Sequence, residues 1–213
     1  MSNLKIEVAF DFICHWCFIG KRNLEIATAL LRENLPELHV DVFWVGVQLL
    51  PGLPVAGVPF KEFYRQRLGS DEAVRIRQEQ VSRAALNAGI SLRLQNIPIM
   101  PNTKLVHRIF NRAQRLGTTA QADEFLECLF HAYFIHGRDI GDAETLLDIA
   151  EACALDSRML ADGAAVAPKS FHSASAVEGV PSYTFNHRMR LHGAQPPEQL
   201  YAALCQALDE LSV

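Results

Sequence analysis

The sequence predicts an α/β fold interrupted by a long all-helical insertion. Three observations predict it: a strand, a helix and a second strand at the start, an almost continuous helical pattern through the middle, and two short strands with a closing helix at the end.

From the N-terminus, Leu4, Ile6, Val8 and Phe10 alternate with Lys5, Glu7 and Ala9, the period of a strand. Ile19 to Arg32 carries Leu24, Ala27, Leu30 and Leu31 at helical spacing. His39 to Val45 then places Val40, Val42 and Trp44 inward and Asp41 and Phe43 outward, which completes a βαβ unit. Leu50 to Pro59 holds three prolines and two glycines, a linker composition.

From Phe60 to about Gly163 the pattern is helical almost throughout. Ser70 and Asp71 cap a helix ending at Gly89, and Asn102 caps one ending at Gly117. Thr118 with Gln121 forms a capping box for a helix ending at Gly137, and Asp142 opens the next. Strand signals return at Ser182 to Asn186, turn at Asn186 to Arg188 and resume at Met189 to His192. A helix from Pro197 to Leu211, with proline near its first position, closes the chain. A βαβ unit, a helical insertion and a ββα unit are the plan of a thioredoxin fold with an α-helical insertion. Residues 1–55 with 165–213 are assigned to a discontinuous thioredoxin-like domain, and 56–164 to the inserted α-helical domain.

Chemistry concentrates where the first strand meets the first helix, at Cys14-His15-Trp16-Cys17. Two cysteines separated by two residues at a helix start can exchange a disulfide with a substrate, and the unpaired N–H groups and dipole of the helix N-terminus favour a thiolate at Cys14. A zinc site needs about four ligands, of which this pair supplies two, and no second CxxC or HxxxH follows. A structural disulfide fits poorly with a chain that shows no sign of secretion. An inert pair is the remaining alternative.

Composition sets outer limits. The 213 residues are 49% hydrophobic, enough to bury a sizeable core in one large domain or two intergrown ones. Net charge is -4 with Lys and Arg scattered among acids, so nothing resembles a nucleic-acid footprint. Met1 to Phe10 lacks a basic region followed by a long apolar run, and no stretch approaches about 18 uncharged apolar residues. The expectation is a cytoplasmic protein that binds neither nucleic acid nor membrane. Cys128, Cys153 and Cys205 lie in helical patterns near apolar faces and are expected as buried free thiols.

The chain resembles the DsbA-like thioredoxin superfamily, and within it the FrnE-like branch, related to 2-hydroxychromene-2-carboxylate isomerases and kappa-class glutathione transferases. The matching stretches are Asp11-Phe12-Ile13-Cys14-His15-Trp16-Cys17-Phe18-Ile19-Gly20-Lys21-Arg22, Asn102-Thr103 with His107-Arg108, Tyr133 to Asp142, Gly179-Val180-Pro181, Phe185-Asn186 and Gly193-Ala194-Gln195-Pro196-Pro197. The resemblance implies a cis peptide bond before Pro181, beside the CxxC, with the backbone of Val180 turned toward the cysteines to pair with an extended substrate. An ordinary trans proline at a strand's first residue is the alternative.

On that reading Cys14 is the nucleophile, with a pKa in the range of about 3.5 to 7.5 typical of such motifs, and Cys17 resolves the mixed disulfide. His15 either stabilises the Cys14 thiolate or faces solvent, Trp16 supplies an apolar wall or simple packing, and Asp11 relays the Cys17 proton or caps the loop. Val180 and Pro181 bind substrate. Position 15 departs from the family, where proline is usual, so a redox potential does not carry over. Val47-Gln48-Leu49-Leu50-Pro51 also stands where relatives often have a Phe-containing segment.

Other clusters read as structure. His107, His131, His136 and Glu127 lack a further metal ligand at regular spacing, so no metal is assigned. Lys104, Arg108, Arg112 and Arg115 read as a solvated charged helix face, the alternative being that part of it lines the groove opposite the CxxC and meets an anionic substrate.

Three functions are weighed. The first is a thiol-disulfide oxidoreductase or isomerase acting on disulfide-containing proteins, peptides or small molecules. It requires no cofactor, and glutathione is open to use as reductant or co-substrate. The second is a glutathione-dependent isomerase or transferase, whose relatives typically have serine in place of the first cysteine. The third is a peptide-binding holdase, which would work without its thiols. Cys14 and Cys17 favour the first; a homo-oligomer is left open.

Overall fold

Alternation in the first strand is realised as a one-sided burial pattern: β1, Asn3–Phe10, puts Leu4, Ile6, Val8 and Phe10 in the core. The computed structural model of the chain describes residues 3–162, 172–173 and 178–210. The chain divides into two compact units, Met1–Val47 with Phe171–Val213, and Gln48–Ser170, the first boundary falling at the end of the second strand.

In the first unit, α1 (His15–Asn34) connects β1 to β2 (His39–Gln48), which lies parallel to it with Leu4 beside Val40 and Val8 beside Trp44. Among the described residues five further strands follow: β3 (Val58–Pro59), β4 (Ile99–Met100), β5 (His172–Ser173), β6 (Ser182–Phe185) and β7 (Met189–His192). Among the described residues the main sheet runs β5-β2-β1-β6-β7, so β1 sits at its centre, antiparallel to β6. With β1 and β2 parallel and β6 and β7 antiparallel beside them, this is the mixed sheet expected of a thioredoxin-like unit. The short edge strand β5 was not legible, because two residues carry no period.

The closing hairpin turns through Asn186 and His187, both at positive φ, and Asn186 accepts the Lys5 N–H through its side chain at 3.0 Å. Phe10 packs edge-on against Trp44 with ring centroids 5.4 Å apart. One expectation is corrected here. Leu30 does not join the buried face of α1; it is 44% exposed, because the face through Leu24 and Ala27 returns at Leu31.

The second unit is helical but not throughout. β3 and β4 pair as a small antiparallel ribbon, and Leu94–Asn96 forms a 3-10 turn. Its helices are α2 (Phe60–Leu68), α3 (Asp71–Asn87), α4 (Lys104–Leu116), α5 (Thr119–Phe134), α6 (Ala143–Ala152) and α7 (Ser157–Asp162). The caps carry the punctuation read from sequence: Ser70 accepts from Ala73 N–H, Thr118 and Gln121 form the capping box, and Asp142 accepts from Thr145 N–H.

Two boundaries differ from expectation. Thr103, not Asn102, precedes α4, although Asn102 Oδ1 still accepts the Lys104 N–H at 3.0 Å. The α5 helix stops at Phe134, before Gly137, whose positive φ and close approach to the Asn96 carbonyl leave no room for a side chain. Phe110, Phe125, Phe130, Tyr133 and Phe134 form its buried aromatic core. The final helix, α8, is Pro197–Asp209 and packs on α1 within the first unit. Gly163, Leu211 and the 164/165 division lie outside the described residues.

Candidate active site

Strand β1 delivers the chain to a tight turn, and the turn sets the two thiols. Cys14 is the residue preceding α1, with extended backbone; its N–H donates to the Asp11 carbonyl at 3.1 Å and its own carbonyl accepts from Cys17 N–H at 2.9 Å. Its side chain makes no hydrogen bond to the helix end. The sulfur turns instead toward the segment before β6, where Cys14 Sγ donates to the Val180 carbonyl at 3.7 Å. The Val180–Pro181 bond is cis, the geometry that the resemblance implied.

Both thiols are free and Cys14 is the more accessible, at 8% exposure against 1% for Cys17. Cys14 is thus more enclosed than a solvent-facing nucleophile. Burial pushes the Cys17 thiol well above its ordinary range, and the adjacent Cys14 thiol, by hydrogen bond and charge, pushes in the same direction. The backbone N–H of Asp11 opposes this by hydrogen bonding, while the Asp11 charge adds to it. Asp11 itself is fully buried. His15 and Trp16 are half-buried, with ring centroids 5.6 Å apart.

The loop after β7 braces the helix that carries the thiols: Asn23 Nδ2 donates to the Gln195 carbonyl at 2.9 Å. Lys21, only 4% exposed, pairs with Glu25 one turn on.

Tyr183 and Gly20, to which sequence pattern assigns no role, meet here. A Cβ built on Gly20 would lie 2.3 Å from the Tyr183 hydroxyl and 3.0 Å from Pro181 Cγ. The available signal was strand alternation, which sets Tyr183 on the side of the chain taken by the residue two before it, Pro181, just ahead of β6.

The other candidates lie apart from this cluster in sequence. Glu127 and His131 form an i,i+4 ion pair at 3.0 Å, His107 is buried at 2% exposure, and among the described residues no group of three or more His, Cys, Asp or Glu converges. Lys104 and Arg115 are exposed and Arg108 and Arg112 half-buried. Burial of all three remaining cysteines is corrected: Cys153 is buried, but Cys128 and Cys205 are partly exposed, because their positions fall at the margins of the buried faces of α5 and α8. No described helix is long and apolar enough to cross a membrane.

The profile of the DSBA-like thioredoxin domain matches residues 5–205. The chain belongs to this family. The protein YwbO of Bacillus subtilis (strain 168) is 25% identical over 151 residues, a match spanning 71% of this chain and 66% of that protein. A probable DsbA oxidoreductase from Streptomyces coelicolor superimposes with a TM-score of 0.83 at 23% identity, covering 97% of this chain and 91% of that one. The cytosolic disulfide reductase DsbM from Pseudomonas aeruginosa gives 0.66 at 16% identity, covering 96% and 98%. At these identities the structural likeness establishes the DsbA-like fold.

Proposed function

We propose that the protein is a thiol-disulfide oxidoreductase in which Cys14 attacks a substrate disulfide and Cys17 resolves the product. The observation that carries the reading is the asymmetry of the pair: Cys14 heads α1 with its sulfur on the Val180 carbonyl, whereas Cys17 is sealed one turn inside. The Cys14 sulfur attacks one sulfur of the substrate, and the other leaves with the electron pair and is protonated. Cys17 then attacks Cys14 Sγ, forming the Cys14–Cys17 disulfide and releasing the second substrate thiol.

Helix α1 assists because its N-terminal N–H groups favour negative charge on the sulfur at its head. Val180 presents backbone beside that sulfur, so an extended peptide can align its disulfide by main-chain pairing. The exchange needs no cofactor, and glutathione or another small thiol would regenerate the dithiol. The substrates are disulfide-bearing proteins, peptides or small molecules, and in a reducing cytoplasm the working direction is reduction or isomerisation.

Incubation of a Cys17→Ser variant with a disulfide peptide, followed by mass spectrometry, tests this. A stable adduct on Cys14 is expected, with loss of insulin reduction in Cys14→Ser. Adducts on Cys128, Cys153 or Cys205 in place of Cys14 would overturn the assignment.

A further inference from the structure

Tyr183 is completely buried, and its hydroxyl has no hydrogen-bond partner. The ring is held by β6 and stacks near Phe185 at 6.5 Å, leaving the hydroxyl against the bare backbone of Gly20 on α1. Gly20 follows Cys17 by three residues and therefore shares its helix face. Pro181, just before β6, reaches the same glycine.

A buried hydroxyl without a partner is a net cost to folding, so phenylalanine would fill a purely structural role at least as well. Cys17 meanwhile must form an anion in a place that disfavours one. We propose that the Tyr183 hydroxyl is the hydrogen-bond donor that stabilises the Cys17 thiolate during the resolving step, which makes it a catalytic residue of the function proposed above. The inference rests on that reading.

Burial raises the Tyr183 hydroxyl far above the ordinary tyrosine range, and charge on Cys17 and Cys14 raises it further, so it stays protonated and able to donate throughout. In the step itself the Cys17 thiolate bonds to Cys14 Sγ, the bond from Cys14 to substrate sulfur breaks, and the departing sulfur carries away the electron pair. The dithiol is oxidised by two electrons and the substrate disulfide is reduced. The Cys17 proton passes to the departing thiol or, for an aromatic thiolate, to buffer. The titratable groups linked to Cys17 through charge are Cys14 at the head of α1, Asp11 in the preceding loop and Tyr183 on β6.

The test mixes the reduced full-length protein with a chromogenic aromatic disulfide and follows thiolate release by stopped flow. Attack by Cys14 releases the first aromatic thiolate and resolution by Cys17 the second. Tyr183→Phe should leave the first phase within about twofold and slow the second about tenfold, the loss expected for one hydrogen bond to a charged group. The pH midpoint of the second phase should rise by about one unit.

Gly20→Ala provides a second variant, since its methyl displaces the hydroxyl: it should slow the second phase in the wild-type background and slow it less in Tyr183→Phe, where only its contact with Pro181 remains. A folded Tyr183→Phe with an unchanged second phase overturns the proposal, as does equal slowing of both phases. A wild type that releases only one thiolate overturns the underlying function instead.

Discussion

Cys14 Sγ donates to the carbonyl of Val180 across 3.7 Å, joining the head of α1 to the segment that opens β6. Without substrate, that carbonyl engages a weak thiol donor, so an amide N–H is a better partner for it. A substrate that supplies one replaces a poor hydrogen bond with a good one.

Peptide and small-molecule disulfides should therefore respond differently to loss of that amide. A disulfide peptide N-methylated beside its cysteine is expected to exchange about tenfold more slowly than its parent, the loss of about one main-chain hydrogen bond in a desolvated groove. Stopped-flow rates for both peptides, with an aromatic disulfide as control, provide the comparison. Equal rates for the two peptides would remove Val180 from substrate binding.

Asp11→Asn should speed resolution at neutral pH. After burial and Cys14, the Asp11 charge is a further influence holding the Cys17 thiol up, and the backbone N–H that opposes it is unchanged by the substitution. Removing the charge favours the thiolate, so the pH profile of the second phase should move to lower pH. A shift to higher pH would mean that Asp11 serves mainly as the base for Cys17.

Alkylation of the reduced protein should separate the five cysteines by enclosure. Burial, with Cys128 alongside, pushes the Cys153 thiol up to about 12, and Cys17 is likewise raised by burial. Peptide mapping after iodoacetamide at about pH 8 should find both at least tenfold slower than partly exposed Cys128 and Cys205. The same shifts make stability pH-dependent. A thiol raised in the folded state binds its proton more tightly there, so its contribution is whole below about pH 8.5 and declines as pH rises beyond it. Cys153→Ala should flatten that decline in urea titrations.

Asp142→Ala should cost about 1 kcal/mol at neutral pH, the usual value of a helix cap. The Thr145 N–H, 2.8 Å from Asp142 Oδ2, holds the carboxyl below its ordinary range. Its stabilisation is present above the unfolded pKa of about 3.9 and is lost as pH falls through the lower folded value. Urea midpoints of wild type and variant should thus converge in acid; a difference constant with pH would refute the charge-assisted cap.

Features set by neighbours in sequence were legible, and those set by distant contacts were not. Ser70, Thr118 and Asp142 act on N–H groups three residues away, so their caps could be read directly. The alternation of β1 and the hairpin around Asn186 are equally local. Leu30 is exposed because the buried face through Leu24 and Ala27 returns at Leu31, a choice that spacing alone left open. The β3–β4 ribbon failed because Val58–Pro59 and Ile99–Met100 are too short for a period. At the site, the CxxC announced itself, but the seating of Tyr183 on Gly20 depends on a strand and helix far apart in the chain.

That separation bears on how the molecule is made. Val180 follows Cys14 by 166 residues, and β1 takes its antiparallel neighbour β6 from the same late stretch. A ribosome releases the N-terminal portion first. During translation the dithiol therefore emerges with one wall of its enclosure still unsynthesised, and the sulfur that is 1% exposed in the finished protein spends that interval open to oxidants. Release of the last strands closes the chemistry as well as the sheet.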